Sequence, residues 1–310
     1  MGRRGAWWWC AIVWVAGCTP GLPDVAEPCA LWEEPGLFKV RVKRQGDPNR
    51  VAWVYVPKSA GPRDLVVVMH GAGKTGQGMM TTTEHDLLAD EEGFVAIYPD
   101  GTGLFRQTWN AGNCCGSAQD KDIDDVGFLD QLIDEVSPMV CGGRVLGVGG
   151  SNGGMMAHRW GCEGRTPDAI QPNSSGLYTD GQRCEGPPLP VFHIHGLADQ
   201  KVPVAGGQLP DEDYVVPSVE DTIGVWRARN ECTDDPPEIT VDGEASCSEW
   251  QCEASTRFCG IAGWGHGFPG GNKSHLVPVD ATVDGWLWFQ SLWEPTAPSG
   301  QGSGRASHGL

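Results

Sequence analysis

Basic residues are scarce in this chain: 22 Lys and Arg stand against 40 Asp and Glu, a formal net charge of −18 over 310 residues. An anionic surface of that size repels phosphate backbones, which argues against nucleic acid as a partner. Long hydrophobic runs are missing too. The apolar stretch Ala6 to Gly17 is shorter than the roughly 20 residues a bilayer-spanning helix needs. No Cys-x2-Cys pair occurs, and Cys247-x4-Cys252-x6-Cys259 lacks a well-spaced histidine, so the pattern carries no zinc site and no metal is expected. A phosphate-binding loop is absent as well. Gly73-Lys74-Thr75 follows an apolar strand, but Val68 stands where the motif needs its first glycine. The acidic run from Asp120 to Asp125 lacks the Gly and Glu of a calcium loop, with Asp125 and Gln131 in their places. It reads instead as a helix start, where carboxylates favour the N-terminal dipole.

The chain is rich in turn residues, with 45 Gly and 23 Pro, about twice the usual share of glycine. Apolar residues are spread through it, so it reads as a globular protein with many tight turns. Arg3 and Arg4 precede the apolar run, the layout of an export signal. Val15-Ala16-Gly17-Cys18 resembles the lipobox of bacterial lipoproteins, which implies lipid on Cys18 and attachment to a membrane; a soluble secreted protein cleaved nearby is the alternative. Export fits the ten remaining cysteines, Cys29, Cys114, Cys115, Cys141, Cys162, Cys184, Cys232, Cys247, Cys252 and Cys259, an even number suited to disulfides in an oxidising compartment. The expected organisation is a signal peptide over 1–17, a tether over 18–36, one catalytic body over 37–293 and a disordered tail over 294–310. No internal repeat and no second composition regime marks a further domain.

Within the body, two alternating runs, Leu37 to Lys43 and Val51 to Pro57, look like a hairpin. Continuous apolar runs follow at Leu65 to Met69, Phe94 to Tyr98, Val145 to Val148 and Val191 to Ile194, as in strands buried on both faces. Helical spacing lies between and after them, at Met79 to Glu91, Asp125 to Val136, Gly153 to Cys162, Val219 to Arg229 and Val279 to Trp293. The pattern predicts an α/β fold in a single domain, with a mostly parallel central sheet flanked by helices.

Gly149-Gly150-Ser151-Asn152-Gly153 has the G-x-S-x-G pattern of a nucleophile elbow, between a predicted strand and a predicted helix. A nucleophilic serine needs an acid and a histidine later in the chain. Asp199 follows the strand Val191 to Ile194, and His266 lies in the glycine-flanked loop Trp264 to Gly270. Their expected roles are triad acid and base, with His275 as the fallback base. Donors for a tetrahedral intermediate are expected from the backbone of Asn152 and of the loop His70-Gly71-Ala72-Gly73. Activity through an unprotonated histidine should fall as pH drops through the region near 6.5.

The body resembles the bacterial esterase family that groups poly(3-hydroxybutyrate) depolymerases with feruloyl and acetylxylan esterases. The likeness rests on Val54-Tyr55-Val56-Pro57 before Leu65 to Gly71, on Tyr98-Pro99-Asp100-Gly101, and on Trp109 to Gly116 leading to Asp124-Asp125-Val126. It continues through Gly150 to Met156, His195-Gly196 to Pro203, and Gly265 to Gly270. Ala72 stands where the family commonly has Cys or Gly, and Phe268 where it usually has Trp. The resemblance implies an α/β-hydrolase fold with Ser151, Asp199 and His266 as triad, Gly71, Ala72 and Asn152 around the oxyanion, and His70, Trp109 and Phe268 near the substrate. The expected function is an exported serine esterase without cofactor, most like a polyhydroxybutyrate depolymerase and acting on a polyester oligomer. The alternatives are a feruloyl or acetylxylan esterase taking an acylated carbohydrate, an exported peptidase with the same machinery, and a non-catalytic surface-binding module of the same fold.

Overall fold

Apolar residues at every second position make Gly36–Val42 (β1) and Arg50–Val56 (β2) antiparallel partners, with Phe38 opposite Val54 and Val40 opposite Ala52. The next strands are apolar throughout, and the computed structural model buries them on both sides. It describes residues 34–44, 50–59, 63–179, 184–209 and 214–293. The expected signal peptide, most of the tether with its Cys18, and the tail therefore lie outside the described residues. No described helix is long and apolar enough to cross a membrane.

The remaining strands of the main sheet are Arg63–Met69 (β3), Val95–Pro99 (β4), Gly142–Gly150 (β5), Ala169–Asn173 (β6), Val191–Gly196 (β7), Glu238–Asp242 (β10), Ala245–Trp250 (β11) and Thr256–Ile261 (β12). A short pair, Gly207–Gln208 (β8) and Val215–Val216 (β9), stands apart. The ten-stranded order is β1-β2-β4-β3-β5-β6-β7-β12-β11-β10. The stretch from β4 to β12 is parallel, and antiparallel strands extend it at both edges. Strand β6 escapes the apolar pattern because Gln171, Pro172 and Asn173 are polar or helix-breaking, yet all five of its residues are buried.

Alternation along β3 sorts the two cores. Val66 and Val68 face a cluster holding Met79, Phe94, Trp286, Trp288 and Phe289. Leu65, Val67 and Met69 face the opposite cluster, where Asp125–Val140 (α4) and Asn152–Glu163 (α5) supply Leu129, Leu132, Ile133, Met156 and Trp160. Each fully buried side chain of this size contributes about 1.5–3 kcal/mol.

Helical spacing over 79–91 predicts one helix, and the structure has two, Gly76–Thr83 (α1) and His85–Glu92 (α2). The break falls at Glu84, in left-handed backbone after three threonines whose hydroxyls bond back to carbonyls four residues earlier. The last helix, Val283–Ser291 (α7), starts later than the spacing from Val279 predicts. Asp280 accepts the Thr282 N–H at 2.8 Å and holds a turn ahead of it. Val219–Arg229 (α6) matches its predicted span, and a short helix Gly116–Asp120 (α3) precedes α4. Disulfides join Cys114 to Cys115, Cys162 to Cys184, Cys232 to Cys252 and Cys247 to Cys259, and Cys141 is disulfide-bonded as well.

Candidate active site

The turn from β5 into α5 places Ser151 at φ 56° and ψ −126°. An L-residue held there costs on the order of 1–3 kcal/mol. Two hydrogen bonds keep it in place: the Ser151 N–H donates to the Asn173 carbonyl at 3.0 Å, and the Ser151 carbonyl accepts from the Met155 N–H at 2.9 Å. Small neighbours are obligatory here. A Cβ on Gly149 would run into the Gly153 carbonyl, and one on Gly153 into the carbonyls of Met69 and His70.

Asp199, in the loop after β7, and His266, in the loop after β12, close on this serine from positions 67 and 115 residues apart in pairs. His266 Nδ1 lies 2.7 Å from Asp199 Oδ2, and its Nε2 lies 2.9 Å from Ser151 Oγ. A carboxylate only accepts, so the imidazole proton sits on Nδ1. The Nε2 lone pair is left facing the hydroxyl, which donates to it. The other carboxylate oxygen accepts the N–H groups of Lys201 at 2.8 Å and Val202 at 2.9 Å. Burial works to raise the Asp199 carboxyl, but hydrogen bonds from His195, His266 and the Val202 N–H outweigh it and hold the group well below the usual carboxylate range. The His266 loop is tied down on both sides. Ser174 Oγ donates to the Gly267 carbonyl at 2.9 Å, and the Ala198 N–H to the Trp264 carbonyl at 3.0 Å.

The loop after β3 runs past the serine, with the Cβ direction of Gly71 3.4 Å from Ser151 Cβ. Ala72 and Asn152 line the same cleft as Ser151 and His266. Among the described residues, neither of their backbone N–H groups has a protein acceptor. His70, Trp109 and Phe268 stand elsewhere, buried and outside the lining of the cleft. His70 donates from Nδ1 to the Gly71 carbonyl at 2.8 Å and accepts the Gly101 N–H on Nε2 at 2.9 Å. The Trp109 indole N–H donates to the His70 carbonyl at 2.9 Å, while its backbone exchanges two bonds with the Asn152 side chain. These two residues brace the loop and the start of α5. Phe268 packs into the core beside His85, ring centroids 6.2 Å apart. His275 lies in a separate 3-10 segment over Gly271–Leu276, outside the lining of the cleft that holds Ser151 and His266.

The cleft measures about 930 Å³. Its walls include Leu104, Phe105, Arg106 and Lys121, which no sequence motif marks. Leu104 and Phe105, 91% and 97% exposed, form an apolar lip, and Met155 and Cys115 form part of the floor. Arg106, Lys121 and Lys201 supply cations around it, with Asp120 as the acidic residue beside them. The lip is joined to the loop after β3 through the Gly73 N–H, which donates to the Gln107 carbonyl at 2.8 Å. Behind the cleft, Arg50 and Asp125 make a buried ion pair at 2.7 Å, and Asp125 also accepts the Asn110 N–H. Among the described residues no group of His, Cys, Asp and Glu is placed to hold a metal ion. The arrangement can deprotonate Ser151, receive its proton on His266 and present two N–H groups to a developing oxyanion.

No family model matches the chain. A bifunctional acetylxylan esterase/xylanase of Neocallimastix patriciarum is 29% identical over 160 residues, covering 51% of this chain and 22% of that protein. The chain thus spans about a fifth of that relative's length. Among solved structures, the acetyl xylan esterase from Aspergillus awamori superposes with a TM-score of 0.58 at 15% identity, over 82% of this chain and 99% of that one. The LpqC poly(3-hydroxybutyrate) depolymerase from Bordetella parapertussis superposes with a TM-score of 0.53 at 14% identity, over 85% and 93%. The architecture shared with these proteins is the α/β-hydrolase fold, with its mostly parallel sheet between helical layers. The neighbours include two of the three kinds of esterase that the sequence resemblance groups, an acetylxylan esterase and a poly(3-hydroxybutyrate) depolymerase.

Proposed function

We propose that this chain is an exported serine esterase in which Ser151 attacks a carboxylic ester. The observation that carries the reading is the pair of hydrogen bonds running Asp199–His266–Ser151, 2.7 and 2.9 Å long. His266 takes the hydroxyl proton as the Ser151 Oγ–carbonyl bond forms, and Asp199 stabilises the imidazolium. The N–H groups of Ala72 and Asn152 receive the oxyanion; one such donor is worth about 10²–10³ in rate. His266 then protonates the departing alcohol, and water, deprotonated by the same imidazole, releases the acid from Ser151. Arg3, Arg4 and the apolar run after them, together with the disulfides, support a place outside the cytoplasm. Lipid on Cys18 would keep the enzyme at a membrane.

For the substrate we propose a soluble oligomer of a hydroxyalkanoic acid. Every such oligomer ends in a carboxylate, and Arg106, Lys121 and Lys201 surround the cleft of an otherwise anionic chain. The second reading, an acetylated xylan, is favoured by the curated relative. Initial rates on a 3-hydroxybutyrate trimer, methyl ferulate and acetylated xylan, with Ser151→Ala as blank, separate them. The trimer is expected to be the best substrate and Ser151→Ala to lose at least 10³-fold in kcat. Full activity in Ser151→Ala would overturn the esterase mechanism, and no rate above the blank on any ester would favour a binding module.

A further inference from the structure

We propose that His158, His193 and His195 form a one-way chain of N–H donors that ends on the Asp199 loop, and that His195 is a positioning residue for the triad acid. The inference rests on the serine esterase reading and adds residues that no sequence motif marks for this role. All three imidazoles are fully buried, His158 on α5 and the other two on one face of β7. Buried rings with two nitrogens each are tolerated when both are paired. Here they pair with one another. The Trp226 indole N–H reaches His158 Nδ1 at 2.9 Å, His158 Nε2 reaches His193 Nδ1 at 3.2 Å, and His193 Nε2 reaches His195 Nδ1 at 3.1 Å. His195 Nε2 then meets the Val202 carbonyl at 2.8 Å and faces Asp199 Oδ2 at 3.5 Å.

The two ends decide the direction. An indole N–H only donates, so His158 Nδ1 is an acceptor and the ring's proton sits on Nε2. The same step repeats at His193 and His195, and each ring is neutral with its proton on Nε2. A carbonyl only accepts, which gives the same answer from the other end. Burial also favours neutral rings, pushing His158 down to about 3 and His193 well below its ordinary value. Trp226 has no lone pair with which to accept a proton, so the chain is not a relay to solvent. Its product is a fixed N–H aimed at Asp199 and at the carbonyl of Val202, the residue whose own N–H binds the other Asp199 oxygen. A reversed chain would set the His195 lone pair against a carbonyl and a carboxylate. The charged and titratable groups around Asp199 are His195 from β7, His266 from the loop after β12, Lys201 in its own loop, and Glu220, Asp221 and Arg227 of α6 across the groove on its outer side.

Nitrogen-15 resolved NMR of the histidines in the intact chain at neutral pH reads the direction without any substrate. All three rings are expected neutral and protonated on Nε2; a proton on Nδ1 of His195, or an imidazolium there, would overturn the chain. Kinetics on the best ester then test the role. His195→Phe removes the donor and concentrates charge on the carboxylate that faces His266. It is expected to lower kcat about tenfold with KM little changed, and to move the acidic limb of kcat/KM to higher pH. His195→Gln, which can place an N–H near the same point, should recover most of kcat and the original limb. Equal losses in both variants with an unmoved limb, or no loss in His195→Phe, would overturn the positioning role. Absence of Ser151-dependent hydrolysis in the unsubstituted chain would instead overturn the esterase reading, and the NMR test would stand by itself. It also stands if His195→Phe fails to fold.

Discussion

Ser151 and its flanking glycines show how a few atoms set the site. Gly153 lies against the carbonyls of Met69 and His70, so a single added methyl has no room. Gly153→Ala is expected to cost about 1–3 kcal/mol in denaturant unfolding and to lose most ester hydrolysis, because the serine backbone must shift to admit the Cβ. Asp199 carries a second prediction. Its carboxyl is depressed in the folded chain despite burial, because His195, His266 and the Val202 N–H bind the ionised form. The stability this contributes is present above the unfolded carboxyl value of about 3.9 and is lost as pH falls through the depressed folded value. Acid titration below pH 4, followed by fluorescence, should therefore destabilise the unsubstituted chain more steeply than Asp199→Asn. Parallel curves for the two proteins would contradict the depressed value. At this scale the motifs were legible in sequence because each has a local physical reason: a sharp turn needs glycines, and a carboxylate or imidazole at a strand end needs a short loop.

Elements behave differently, since their identity depends on what packs against them. Gly224 in α6 is exposed and an added Cβ there meets nothing within 4 Å. Gly224→Ala should stabilise the chain by about 0.4–1 kcal/mol through reduced freedom of the unfolded state and better helix propensity, read as a raised unfolding midpoint with unchanged kcat. The strands β3, β4, β5 and β7 were legible as continuous apolar runs because a parallel sheet buries both faces. Strand β6 was not, because its Gln171, Pro172 and Asn173 are buried by partners from other parts of the chain. Gln171 Nε2 donates to the Ala281 carbonyl at 2.6 Å, and Asn173 Nδ2 to the carbonyls of Gly149 and Gln171 at 3.1 Å. Strands β10 to β12 escaped for a related reason. Their alternation is weak, and β10 is exposed along its whole length at the sheet edge. The predicted single helix over 79–91 failed at Glu84, where threonine hydroxyls compete for helical carbonyls.

For the whole molecule the governing quantity is charge. A net −18 would repel an anionic substrate, but Arg106, Lys121 and Lys201 converge on the cleft from three separate loops. Fields of this kind act over about one Debye length, roughly 10 Å at 0.1 M salt. For a carboxylate-ended oligoester, kcat/KM is expected to fall several-fold between 0.01 and 0.5 M salt, and Lys201→Glu to lower it at low salt. An uncharged acetyl ester should show neither effect. Identical salt dependence for both substrates would remove the cationic rim from the account of specificity.

What the sequence by itself determined are features with short-range causes: the glycine-bounded turn at Ser151, the alternation of apolar strands and amphipathic helices, and the loops that carry Asp199 and His266. Tertiary structure alone decided which side chains meet. It turned His70 and Trp109 inward as braces, since the loop carbonyls and the Asn152 amide need buried partners. It also brought three cations to one cleft and lined up three imidazoles behind Asp199. Contacts between residues 67 and 115 positions apart leave no periodic trace in a sequence, because they are created by the order of strands in the sheet.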